Sequence, residues 1–186
     1  MGLRSIGENR VKEAIEKFQL FEKMPKMPKM KKRFIGHLQS NKVKKCVGSF
    51  DTIDSIHSMK ILKKVSNECE RLNKTIEVLL QVNTSGEKQK TGFQMDNIEE
   101  IIKCYEVPNV DITGLMTMAP YTRDKNLIRE TFSLLRDIKE KTNKYLGKNQ
   151  VKHLSMGMSN DYEIAIEEGS TQIRLGTVLF GLRKKA

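Results

Sequence analysis

The chain has 186 residues, with 38% apolar and 31% charged side chains and a net charge of +11. That balance fits a soluble globular protein with a sizeable core, and the length fits a single domain over residues 1–186. No apolar run approaches the ~20 residues of a membrane helix, and the N-terminus lacks the apolar segment of a secretory leader, so a cytoplasmic location is expected.

Taken in chain order, short apolar runs alternate with helical patterns. Strands are predicted at residues 4–6, 34–38, 52–56, 76–82, 110–116, 151–156 and 171–180. Between them, Val11, Ile15 and Phe18 share one face of a helix starting near Glu8. Ile61, Leu62, Val65, Cys69 and Leu72 form a second stripe, and Ile98, Ile101, Ile102 and Tyr105 a third. Ile128, Thr131, Leu135 and Ile138 form a fourth, and residues 161–168 a short helix with Asn160 and Glu163 as a capping box and Gly169 after its end.

Strands alternating with helices imply parallel βα units. Seven in series predict an α/β fold of the TIM-type (β/α) barrel kind, one unit short of the usual eight; a full barrel takes about 250 residues. No GxGxxG follows any strand, which removes the main signal of a dinucleotide fold.

Cys46, Cys69 and Cys104 are far apart and form no CxxC, and His37, His57 and His153 are isolated, so neither a disulfide framework nor a metal site is expected. Each histidine reads as a hydrogen-bonded group near a strand end. Residues 1–50 hold 13 basic and 4 acidic side chains, centred on residues 22–33. With no Trp and few aromatics, that segment reads as a solvated basic loop rather than a nucleic-acid platform.

In a barrel, ligands bind at the C-terminal ends of the strands, and phosphate most often at the last two loops. Those loops here are LSMGMSND and RLGT. Gly157 and Ser159, with Gly176 and Thr177 beside them, offer backbone N–H groups and hydroxyls for an anion. A capped helix plus a tight turn explains the same residues equally well. Arg174 lies inside an apolar run, where a guanidinium needs a partner: a tethered ligand ring, or an acidic residue inside the barrel.

Several blocks resemble the pyridoxal-phosphate homeostasis proteins: GENRVKE (7–13), FIGHLQSNK (34–42), IHSMK (56–60), QVNTSGEKQKTGF (81–93), GLMTMAP (114–120) and LSMGMSNDYEIAIEEGSTQIRLGTVLFGLR (154–183). The resemblance implies a barrel like the N-terminal domain of alanine racemase, binding pyridoxal 5′-phosphate (PLP) without a proven catalytic turnover of its own; no catalytic residue is assigned. It implies that Ser159, Gly176 and Thr177 hold the phosphate, that Arg174 meets the pyridine nitrogen, and that Asn9 lines the pocket near the ring.

The family's cofactor-bonding lysine lies on a strand upstream of GEN, where this chain has only residues 1–6. The first βα unit is therefore expected to be missing, leaving two strand edges unpaired. Lys42 matches a different family lysine and is not assigned the bonding role. A monomer is expected, with edge pairing as a route to a dimer. Two other functions are alternatives for this sequence: a PLP-dependent amino-acid racemase, and a basic binder of phosphate ligands or nucleic acid through residues 22–33.

Overall fold

The structure is a computed structural model that describes residues 3–24, 28–87 and 90–181. Eight parallel strands alternate with helices among these residues. They are β1 (Ser5–Glu8), β2 (Lys31–Phe34), β3 (Thr52–Ile56), β4 (Ile76–Asn83), β5 (Phe93–Gln94), β6 (Val110–Met116), β7 (His153–Met158) and β8 (Gln172–Arg174). The helices are α1 (Val11–Glu22), α2 (Val43–Ser49), α3 (Met59–Arg71), α4 (Ile98–Lys103), α5 (Lys125–Leu146), α6 (Tyr162–Glu167) and α7 (Thr177–Phe180).

Each strand of the main sheet pairs with the next in chain order, β1-β2-β3-β4-β6-β7-β8, and β5 is a two-residue addition to β4. That order winds one way into a nearly closed barrel, and among the described residues β8 and β1 are not paired.

The helix stripes bury as their 3.6 period requires: Ile61, Leu62, Val65 and Cys69 from α3, and Ile128, Phe132, Leu135 and Ile138 from α5. Ser58 caps α3 through Ile61 N–H, and Asp124 caps α5 through Asn126 and Leu127 N–H. Phe18 of α1 and Phe34 of β2 both meet Phe50 edge-to-face, with centroids 5.4 and 5.2 Å apart.

Strand β2 shows how a basic stretch becomes a strand. Phe34 faces the helices, and Lys32 lies over the Phe18 ring at 4.8 Å. Alternation sends Lys31 and Arg33 the other way, into the barrel. There Arg33 Nε meets Asp54 at 2.8 Å, Lys31 meets Glu77 at 2.7 Å, and the Thr52 hydroxyl donates to Asp54 at 3.0 Å.

Burial raises the Glu77 carboxyl, but Lys31, Arg33 and His153 together hold it below its ordinary value. A depressed carboxylate contributes stability above its unfolded pKa and loses it as pH falls through the folded value. Thermal stability should therefore drop below about pH 4, and Glu77→Gln should flatten that limb of the profile. An unchanged acid limb in the variant would contradict the assignment.

Several expected elements are corrected. The second strand is Lys31–Phe34, and residues 35–38 are the loop after it. The last strand ends at Arg174; Gly176 breaks it, and Thr177–Phe180 is a helical turn whose Val178, Leu179 and Phe180 are exposed. The first helix starts at Val11 because Glu8 still belongs to β1. The capping box at Asn160 does not form: Asp161 is the N-cap, and its carboxylate accepts from Met158 N–H at 2.5 Å. Gly169 does follow the end of α6, with φ +90° and Ser170 N–H reaching Ala165 O at 2.9 Å, a Schellman closure. Helix α2 and strand β5 have no counterpart among the predicted elements. Of the basic segment, residues 25–27 lie outside the described residues.

Candidate functional site

Strand ends at one rim of the barrel bring three of the five expected site residues, Ser159, Gly176 and Thr177, together just after β7 and β8, with Arg174 at the end of β8. Strand β7 ends at Met158 and the chain turns into α6. Gly157 permits the turn: at φ +95° a Cβ there would lie 2.5 Å from Ala165 Cβ. Ser159 then faces the loop after β8, and its Oγ accepts from Gly176 N–H at 3.2 Å and Val178 N–H at 3.4 Å. Thr177 sits between those two amides and is exposed. The Ser159 and Thr177 hydroxyls thus gather at a solvent-facing spot with two backbone N–H groups that Ser159 Oγ itself satisfies here; rotation of that hydroxyl would free the amides for an anion.

Arg174 is the last residue of β8 and points across the barrel. Nη1 donates to Ser155 Oγ and Nη2 to Thr117 O, each at 2.8 Å. No carboxylate lies within ion-pairing distance of it among the described residues, so the acidic partner weighed from the sequence is replaced by neutral acceptors. Burial lowers its pKa to about 10, while Asp54 and Asp161 at longer range hold it up. It stays protonated at neutral pH, with a charge that no adjacent acid cancels.

The acceptors are themselves fixed. Thr117 Oγ1 donates to Val82 O at 2.9 Å and shares a hydrogen bond with Thr84 Oγ1 at 2.9 Å. Ser155, Thr117 and Thr84 are all buried, so the ends of β4, β6 and β7 together set the guanidinium plane. Sequence reasoning missed all three. The available signal was small hydroxyl residues at the ends of three predicted strands, inside otherwise apolar runs.

Asn9 follows β1 and is exposed; no hydrogen bond joins it to Arg174 or Ser159 among the described residues. Its backbone packs against Gly36, where a Cβ would lie 2.1 Å from Asn9 O. Gly36 O also accepts from Ser55 Oγ at 2.5 Å, which ties the loops after β1 and β2 to β3. In the same rim His37 and His57 stack, centroids 4.3 Å apart, and burial followed by the neighbouring His37 lowers the His57 pKa. Lys42 is exposed at the end of a 3₁₀ turn.

A concavity of about 280 Å³ opens at the opposite end of the strands, near Tyr105, Val110 and Gln150. Among the described residues no group of three or more His, Cys, Asp or Glu side chains is placed to hold a metal. No described helix is long and apolar enough to cross a membrane.

Known proteins match this chain along nearly all of its length. Residues 1–184 match the family described as alanine racemase, N-terminal domain. A protein named pyridoxal phosphate homeostasis protein from Aquifex aeolicus is 38% identical over 184 residues, which span 98% of this chain and 78% of that protein. The human protein of the same name is 36% identical, covering 98% of this chain and 69% of its own.

Among solved structures, PipY of Synechococcus elongatus without PLP superposes with a TM-score of 0.88 at 33% identity, covering 97% of this chain and 83% of that one. PipY with PLP bound gives 0.87 at 32%, covering 97% and 82%. An alanine racemase of Clostridium difficile shares the fold, with a TM-score of 0.78 at 18% identity, over 99% of this chain and 46% of that one.

Proposed function

This chain belongs to the pyridoxal phosphate homeostasis proteins, built on the alanine racemase N-terminal domain, and from that premise we propose that it binds PLP at the rim formed by β7 and β8. Its role is intracellular PLP and amino-acid homeostasis, as a carrier of the cofactor rather than an enzyme turning it over. The supporting observation is the convergence of Ser159 Oγ, Gly176 N–H and Val178 N–H beside Thr177, next to an Arg174 with no paired acid.

Ser159, Gly176 and Thr177 hold the phosphate through hydroxyl and amide donors, which charge on the acceptor strengthens. Arg174 presents its remaining N–H groups to the pyridine nitrogen. Because Arg174 keeps its own proton to about pH 10, a second proton on the facing ring nitrogen is disfavoured. When bound, PLP supplies an aldehyde and an electron-withdrawing ring, and an unprotonated ring nitrogen weakens that withdrawal, which suits storage over carbanion chemistry. Asn9 is assigned to the edge of the pocket near the ring. The same reading takes residues 1–186 as one PLP-binding domain, cytoplasmic and monomeric.

Ser159→Ala combined with Thr177→Ala removes both hydroxyl donors while leaving the Gly176 amide. Hydrogen bonds to charged acceptors contribute about 1.5–3 kcal/mol each, so PLP should bind at least tenfold more weakly. A PLP titration of the wild type and the double variant, followed by absorbance, measures this. Equal affinity in both would refute the phosphate assignment.

A further inference from the structure

Lysines without acidic counterparts gather on two neighbouring outer helices. Some basic side chains elsewhere are met by carboxylates, as Arg10 by Glu13, Lys17 by Glu8, Lys32 by Glu22, and Arg129 by Glu167 and Glu168, whereas α2 and α3 bring six without such a partner onto adjoining helices. Along α3, Lys60, Lys63, Lys64 and Asn67 follow the i, i+3, i+4, i+7 spacing of one helix face, and all are exposed. Helix α2 packs beside α3 and exposes Lys44 and Lys45, with Lys42 just before it. None of these six lysines is in an ion pair among the described residues.

The acids nearby are few. Glu68 feels Lys44 but is held by Arg71 at 2.6 Å, Asp51 accepts from the Lys32 amide, and Glu70 lies only at the C-terminal end of the stripe. Like charges at this spacing repel, so a counter-charge from outside would relieve the face.

The residue types select among anionic partners. Protein interfaces concentrate binding energy in Trp, Tyr and Arg and are poor in Lys, and the charged groups of this stripe are lysines, with Asn67 beside them. Membrane docking uses exposed apolar side chains, whereas Val43, Cys46, Val47, Ile61, Leu62 and Val65 are all buried. Single strands need aromatic platforms, and these two helices carry no aromatic residue. Lysine ammonium groups in rows do suit the phosphates of a duplex, which give affinity without base readout.

We propose that the α2–α3 face docks a double-helical nucleic acid by its phosphate backbone, without reading sequence. This departs from the sequence expectation, which made nucleic acid an unlikely partner and placed the alternative on residues 22–33. There Lys31, Lys32 and Arg33 are already engaged by Glu77, Glu22 and Asp54. The proposal is independent of the PLP reading.

The test titrates the full chain against a mixed-sequence DNA duplex of about 20 base pairs, by fluorescence anisotropy, from about 50 to 200 mM salt. Six phosphate contacts predict a loss of about a thousandfold in affinity across that range. K60Q/K63Q/K64Q should reduce the slope of log affinity on log salt by about one per lysine, and K23Q/K29Q should leave it unchanged. Far-UV circular dichroism and thermal melts of both variants report that each is folded. Absence of duplex binding at the lowest salt, a slope unaltered by the triple variant, or an equal loss in K23Q/K29Q would each overturn the proposal. Tighter binding to a single strand or to anionic lipid vesicles at the same salt would overturn it as well.

Discussion

Gly36→Ala should lower the melting temperature by roughly 6–12 °C, corresponding to about 3 kcal/mol in a domain of this size. The added methyl would lie 2.1 Å from Asn9 O and 2.7 Å from the Asn9 carbonyl carbon and Cα, all backbone atoms. Backbone cannot rotate away as a side chain can. Relief requires separating the loop after β1 from the loop after β2, and Ile35 N–H to Glu8 O at 3.0 Å binds those strands together. The displaced Gly36 carbonyl would also lose the Ser55 hydroxyl. Gly48 is the matched control: it lies inside α2 with nothing within 4 Å of a built Cβ, so Gly48→Ala should be neutral or stabilising by up to about 1 kcal/mol. Paired thermal melts check both. Similar melting temperatures for the two variants would contradict the packing argument.

Arg174→Ala should weaken PLP binding by about 10- to 100-fold, the loss expected for a charge-assisted hydrogen bond. The fold should survive with some loss of stability, since Ser155 Oγ and Thr117 O each lose a donor at 2.8 Å. Arg174→Lys separates charge from geometry. Lysine keeps the positive charge but cannot span Ser155 and Thr117 together as the planar fork does, so most of the affinity should still be lost. Absorbance titration with PLP measures all three proteins. Full affinity in Arg174→Ala would remove Arg174 from the site.

The layout of the barrel was legible in the sequence because its signals are local and periodic. Strands at residues 52–56 and 110–116 match β3 and β6, and the α3 and α5 stripes bury as their spacing demands. Errors fell where tertiary context overrides pattern. Lys31 and Arg33 look like loop residues until Glu77 and Asp54 meet them across the barrel. Val178, Leu179 and Phe180 look like strand until Gly176 ends β8 and leaves them exposed.

The grouping of Ser159, Gly176 and Thr177 followed from loop chemistry and resemblance, and the geometry of the loops is compatible with it. The clamp on Arg174 did not follow. It needs a serine, a threonine carbonyl and a second threonine from three strands, and their distance in the chain hides that meeting until the sheet is wound.

The most direct test is a difference-absorbance titration of the purified protein with PLP and, separately, with pyridoxal lacking the phosphate. The account predicts one saturable site for PLP, much weaker binding of pyridoxal, and displacement of PLP by inorganic phosphate. Equal binding of the two ligands, or no saturable binding of PLP, would contradict a phosphate-anchored site at Ser159, Gly176 and Thr177.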